Sequence, residues 1–265
     1  MASKENEGIF RMKNLYIATL IALVSVSSVN AAEKGKHLFI LSGQSNMAGL
    51  NPDISFTPTV EAAFGKDNVT VVKEAKSGRP IRNWYKKWEA PEGKTIKDKH
   101  QVGQVYDWLM NRHVRKAMKN HEVESIVFVW MQGERDAKTG MADVYKASLK
   151  GLIKQLRDDI GRQDMHVIIG RISDHGNGKF DGQWNKVREA QVKVADDDPL
   201  AAWIDTDDLN NIHSGKTGRI EDDLHYSKEG FKILGERFAA QELNTAEERA
   251  GRGADDINAG PHAFR

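Results

Sequence analysis

The sequence predicts an α/β fold in which a central parallel sheet is covered by helices on both faces. Two observations carry this expectation. Short apolar runs rich in β-branched and aromatic residues recur along the chain, as strands buried on both sides require. Helical patterns lie between several of these runs, so the strands are joined by crossovers rather than hairpins.

Taken in order, the first strand falls at His37–Leu41 and the second at Val69–Lys73. A helix is expected from Val102 to Lys119, followed by a very apolar third strand at Ser125–Met131. From Ala142 to Ile160, the residues Tyr145, Leu149, Leu152 and Leu156 recur on one helical face with charges opposite, the signature of a helix packed on a core. A fourth strand at His166–Arg171, a helix at Lys186–Ala195 and a fifth strand at Ala201–Asp205 follow. The last helix runs from Lys228 to Gln241, where Phe231, Leu234 and Phe238 share a face. In a sheet of this kind ligands bind beyond the carboxyl ends of the strands, so the residues just after each run are the first to inspect.

Composition sets the limits. A chain of 265 residues that is 39% hydrophobic can build one compact domain with a normal core. Its 39 Lys and Arg nearly cancel its 38 Asp and Glu, which argues against nucleic acid or an anionic membrane surface as partner. Cysteine is absent, so neither a disulfide framework nor thiolate chemistry is available.

The amino end reads as an export signal. From Met12 the sequence runs MKNLYIATLIALVSVSSVNAAEKG, with a lysine, an apolar stretch from Leu15 to Val26 and small residues at Ala31 and Ala32. That stretch is short for a membrane span; a retained anchor helix is the alternative. The expected organisation is a signal peptide with an upstream extension over residues 1–31, one domain over 32–244 and a flexible tail over 245–265. A secreted or periplasmic bacterial protein without stable membrane association fits this layout; nothing in the sequence sets an oligomeric state.

Four segments lie where the sheet predicts a site. GQSNMAG, Gly43 to Gly49, follows the first strand directly and places Ser45 on a glycine-flanked turn at the lip of the sheet, where a nucleophilic hydroxyl is needed. EAKSGRPIRNW follows the second strand and holds Gly78, whose N–H can face a bound group with no Cβ in the way. WMQGERDA follows the third strand and crowds Gln132, Glu134 and Asp136 together. EDDLHYSKEG precedes the last helix, with Asp222 and His225 three apart and Ser227 placed to cap that helix.

These types suit nucleophilic catalysis. A serine hydroxyl needs an imidazole to take its proton, and a carboxylate fixes that imidazole's tautomer and stabilises the cation. Ser45, His225 and Asp222 fill those roles, with Asp223 a rival for the last. The backbone N–H groups of Ser45 and Gly78 and the side-chain amide of Gln132 are candidate donors to an oxyanion. No metal site is expected: the acidic stretch at Asp205, Asp207 and Asp208 lacks calcium-loop spacing, and His175 and His213 have no paired ligands.

Together, GQSNMAG, the glycine of SGRPIRNW, the QGERD stretch and the Asp222-to-His225 spacing resemble the blocks of the SGNH hydrolases. More narrowly, they resemble the branch of sialate O-acetylesterases and family 6 acetylxylan esterases, over about Lys36 to Leu243. The resemblance implies a flavodoxin-like three-layer α/β/α sandwich and a deacetylase for O-acetylated oligo- or polysaccharides that uses no cofactor. It implies Ser45 as nucleophile, Asp222 and His225 as its partners, and Gly78 as an oxyanion donor. The wider superfamily carries an asparagine where this chain has Gln132, and in this branch the glutamine takes the donor role. Glu134 braces the loop around Ser45 or pairs with Arg135 or Arg79. Arg79, Arg82, Trp84 and Trp184 are candidates for a substrate rim; surface charge for the arginines and core packing for the tryptophans are the alternatives. A lipase or thioesterase on the same fold, or a carbohydrate-binding protein without activity, are the competing functions. The first needs an apolar channel that no loop supplies, and the second has no need of an intact serine, aspartate and histidine set.

Overall fold

The structure, a computed structural model, describes residues 35–96, 101–119, 122–175, 182–211 and 224–258. The expected signal peptide and both Asp222 and Asp223 lie outside these residues. Among the described residues one sheet contains five parallel strands: β1 (Lys36–Gly43), β2 (Val69–Ala75), β3 (Val123–Met131), β4 (His166–Gly170) and β5 (Ala201–Ile204). Their spatial order is β2-β1-β3-β4-β5, the flavodoxin-like order whose topological switch point lies between β1 and β3. The register brings the carboxyl ends level there, with Gly43 opposite both Ala75 and Met131. The chain thus leaves three adjacent strands in one row at the place where the fold opens a crevice.

Alternation along the strands makes three layers. Leu38, Ile40, Phe128, Trp130 and Ile169 point to one face and pack against Tyr106, Tyr145, Leu149 and Trp184. Phe39, Leu41, Val129, Met131 and Ile168 point to the other and pack against Met47, Phe56, Leu234 and Phe238. The first layer is built from α3 (Gln104–Leu109), α6 (Ala142–Ile160) and α7 (Gln183–Asp196). The second is built from α1 (Ser45–Gly49), α2 (Phe56–Phe64) and α8 (Lys228–Asn258). Strands buried on both faces with period-two side-chain alternation explain why the sequence reads as continuous apolar runs.

The helix expected over Val102–Lys119 is a run of α3, a π turn at Met110–Val114 and α4 (Arg115–Met118). Helix α2 carries no strong periodic signal, since only Phe56 and Val60 are buried on it. Helix α8 runs on beyond the expected end at Gln241, to Asn258. The segment AEERA that follows Thr245 is made of good helix formers, and Thr245 Oγ1 donates back to Gln241 O at 2.8 Å.

Gly43 is where the first strand must turn. Its φ is +152°, and a Cβ there would stand 1.9 Å from the carbonyl oxygen of Met131. The same carbonyl accepts the Gln44 N–H at 2.9 Å. Gly43→Ala is therefore expected to lower stability by about 3 kcal/mol or more, read as a shift of the urea midpoint.

Candidate active site

Ser45 opens α1, a five-residue helix starting one residue beyond β1. The sequence suggests a simple turn here; a helix forms because Ala48 N donates to Gln44 O and Leu50 N to Asn46 O, at 2.7 and 3.1 Å. Its last carbonyls are capped by a side chain from the neighbouring strand. Lys73 Nζ donates to Met47 O and Ala48 O, both at 3.2 Å, and to Leu50 O. A half-buried ammonium at a helix carboxyl end offsets its unpaired carbonyls and dipole; burial pulls the Lys73 pKa below its ordinary value.

Ser45 itself is half-buried, but its two neighbours are anchored in the interior. Gln44 Oε1 accepts from Gln132 Nε2 and from the Arg135 N–H, each at 3.2 Å. Asn46 Nδ2 donates to Glu134 Oε1 at 3.2 Å and to the Leu224 carbonyl at 3.1 Å. Two buried amides thus hold the serine between the loop after β3 and the segment carrying His225. Gly43 O accepts from Lys76 N at 3.0 Å, which adds the loop after β2. All four sequence blocks are tied to the residues flanking Ser45, through Gly43, Gln44 and Asn46.

His225 is exposed and follows Leu224 directly. Ser227 caps α8 as expected, its Oγ accepting the Gly230 N–H at 3.1 Å, which fixes where the histidine segment enters the helix. Gly78 is exposed at φ +68°, and a Cβ there would meet nothing within 4 Å. Backbone conformation rather than crowding calls for glycine at that position.

Gln132 follows β3 directly. It is fully buried, and its Nε2 donates to Asp136 Oδ2 at 2.6 Å, Gln44 Oε1 at 3.2 Å and Arg79 O at 3.2 Å. An amide has two hydrogens, and three protein acceptors surround them, so the side chain braces the loop after β3 against Gln44, Arg79 and Asp136. Asp136, one helical turn on in α5 (Glu134–Lys138), is the acceptor that captures it and also receives the Ile81 N–H at 2.9 Å. The Gln132 carbonyl is held in turn by Tyr145 Oη at 2.5 Å and Gln191 Nε2 at 2.8 Å.

The rim expectations are corrected. Trp84 is 0% exposed, its Nε1 donates to Ser42 Oγ at 2.8 Å and its ring meets Trp130 edge-on at 5.2 Å. Trp184 is also buried, with Nε1 donating to Ser173 O at 2.6 Å. Both indoles find a polar partner inside, so core packing leaves them no reason to reach solvent. Arg82 is buried as well, with its guanidinium carbon 5.4 Å from the Trp88 ring centroid. Arg79 alone of this group remains half-exposed.

Glu134 and Asp136 are both buried. Burial, outweighing the hydrogen bonds that favour their anions, pushes Glu134 up to about 7 and Asp136 up to about 6. A carboxyl whose folded pKa is raised binds more protons when folded than when unfolded. Its contribution is therefore fully present below the unfolded value and is lost as pH rises through the folded one. Stability is expected to fall between about pH 4.5 and 7.5, with Glu134 accounting for about 3 kcal/mol of the decline. Glu134→Gln keeps an acceptor for Asn46 and flattens the slope; urea midpoints at half-unit pH intervals check it. Among the described residues no cluster of three or more His, Asp or Glu is arranged to hold a metal ion, and no helix is long and apolar enough to cross a membrane.

A flavodoxin-like sandwich with a serine at the β1 exit, on the switch-point crevice, is the architecture of the SGNH-type esterases. The profile of the family described as carbohydrate esterase, sialic acid-specific acetylesterase matches residues 48–244, and the chain belongs to that family. It is accordingly a carbohydrate esterase family hydrolase.

Solved structures share the fold at low identity. A protein from Arabidopsis thaliana is 21% identical with a TM-score of 0.60, the match covering 79% of this chain and 98% of that one. A carbohydrate acetylesterase from Xanthomonas citri is 17% identical with a TM-score of 0.56, covering 77% of this chain and 55% of its own. This chain therefore spans about half of the Xanthomonas protein. The aryl esterase of M. smegmatis is 14% identical with a TM-score of 0.51, covering 79% and 99%. No curated protein matches the chain.

Proposed function

We propose that this protein is an exported serine esterase that removes O-acetyl groups from carbohydrates through an acetyl-enzyme intermediate. Ser45 Oγ attacks the acetyl carbonyl while His225 takes the hydroxyl proton. The tetrahedral intermediate then expels the sugar oxygen, which receives that proton from His225. Water, deprotonated by the same imidazole, attacks the acetyl-serine, releasing acetate and restoring the hydroxyl. Asp222 orients the imidazole. The backbone N–H groups of Ser45 and Gly78 and the Gln132 amide receive the oxyanion, one such donor being worth ~3 to 4 kcal/mol of barrier.

The observation that supports this reading most directly is the Asn46 side chain. It bonds the residue after Ser45 to the residue before His225, at 3.1 Å across 178 positions of sequence. A nucleophile and its base must be neighbours in the fold, and this bond brings their segments together.

Substrate preference is the test. The proposal expects p-nitrophenyl acetate to be hydrolysed at least ~10-fold faster than the octanoate in kcat/KM, since one methylene in a pocket changes discrimination by about 10-fold or more. A preference for octanoate points to a lipase-type acyl site instead. Acetate release from acetylated xylan, set beside release from O-acetylated sialic acid, then assigns the sugar. Export is part of the proposal, and rests on the signal-like segment at Met12–Ala32; amino-terminal sequencing of secreted material tests it.

A further inference from the structure

Outside the bonds around Ser45, three basic side chains gather on one carboxylate at the end of β2. Glu74 lies 3.6 Å from Lys76 Nζ, 3.6 Å from Arg112 Nη1 and 3.4 Å from His113 Nε2. Trp108 sits among them, with Lys76 Nζ 5.5 Å and the Arg112 guanidinium carbon 4.9 Å from its ring centroid. The π turn at Met110–Val114 supplies Arg112 and His113; such turns are rare and occur frequently at functional sites.

Two features mark this cluster as a place for a ligand rather than a finished ion-pair network. Its lysine and arginine outnumber the single acid, leaving a surplus positive charge. Their side chains are 43% and 55% exposed, and both contacts are longer than the 2.7–2.9 Å of a tight charged hydrogen bond. Elsewhere in the molecule Arg188 holds Asp207 at 2.6 Å and Arg157 holds Asp198 at 2.8 Å. The location is also informative. Lys76 leaves β2 while its N–H donates to Gly43 O at 3.0 Å, two residues before Ser45, and Gly78 follows two residues later.

We propose that Lys76, Arg112 and Trp108 form a subsite for a carboxylate-bearing sugar beside the esterase centre. The guanidinium and ammonium receive the carboxylate, and Trp108 holds both side chains beside it through its ring face. This rests on the esterase reading and names the charge of the substrate it selects.

The test is the double variant Lys76→Met/Arg112→Met, which keeps long apolar stems beside Trp108. For an O-acetylated oligosaccharide containing a uronic acid, kcat/KM is expected to fall about tenfold, chiefly through KM. Neutral acetylated xylo-oligosaccharide and p-nitrophenyl acetate should change less than about twofold. A parallel fall for free O-acetylated sialic acid places the carboxylate on the acetylated sugar itself; a fall confined to the oligosaccharide places it on a neighbour. Equal rates for wild type and variant on both acidic substrates overturn the subsite, as does an equal loss on neutral and acidic ones. Calorimetric binding of a non-acetylated uronate oligosaccharide separates the two claims, because it needs no hydrolysis. Binding that the double variant loses and Ser45→Ala retains supports the subsite whatever the esterase assay gives. A wild-type protein inactive on p-nitrophenyl acetate counts against the esterase reading alone.

Discussion

Ser45→Ala is expected to lower kcat/KM for p-nitrophenyl acetate by about 10⁴-fold or more, while unfolding free energy changes by less than about 0.5 kcal/mol. The size follows from the proposed role: without the hydroxyl no acetyl-enzyme forms, and only binding and oxyanion stabilisation remain. The small stability effect follows from position, since Ser45 is half-buried on a helix that Lys73, Gln44 and Asn46 hold in place. Burst kinetics with a chromogenic acetate, run beside urea denaturation, separate the two quantities. A variant that keeps wild-type turnover sinks the mechanism.

Asn46→Ala should have a different profile, a large effect on both. It removes both hydrogen bonds of a fully buried amide and leaves the Glu134 carboxyl and the Leu224 carbonyl without that donor. Unpaired buried acceptors cost about 1–3 kcal/mol each, so a loss of about 3 kcal/mol is expected. Catalysis should suffer by about 100-fold in kcat, because the His225 segment loses its tether to the nucleophile and small misplacements are costly. KM, set by the substrate surface rather than by this tether, should move little. Full kcat in a folded Asn46→Ala would show that the tether does not position the base.

Much of this was legible in the residues themselves. Strands buried on both faces announce themselves as apolar runs, and Ala142–Ile160 declares its packed face through Tyr145, Leu149, Leu152 and Leu156, all buried. Ser227 as a helix cap is a local effect, readable from chemistry at one position. What sequence does not carry is the direction of a side chain in a connecting segment. Trp84 looks like a rim residue because its neighbours are polar, yet its indole reaches back to Ser42 on β1. Gln132 looks like a free amide because nothing in the chain says that Asp136, four residues later, will take its hydrogen. Asn46 reads as a turn former because its second partner is the backbone of Leu224, and a main-chain carbonyl leaves no signature in a sequence. The cations around Glu74 escaped for a related reason: they come from two separate segments, the loop after β2 and the π turn.

The bond from Asn46 to Leu224 also sets an order of events. Closing a contact between positions 178 residues apart is entropically slow relative to the local pairings of β1 with β2. A chain still being synthesised can complete most of its sheet while the serine stands on an untethered helix, with the histidine not yet delivered. The segment that carries His225 is thus joined to the Ser45 helix late in folding, when α8 docks Leu234 and Phe238 on the sheet.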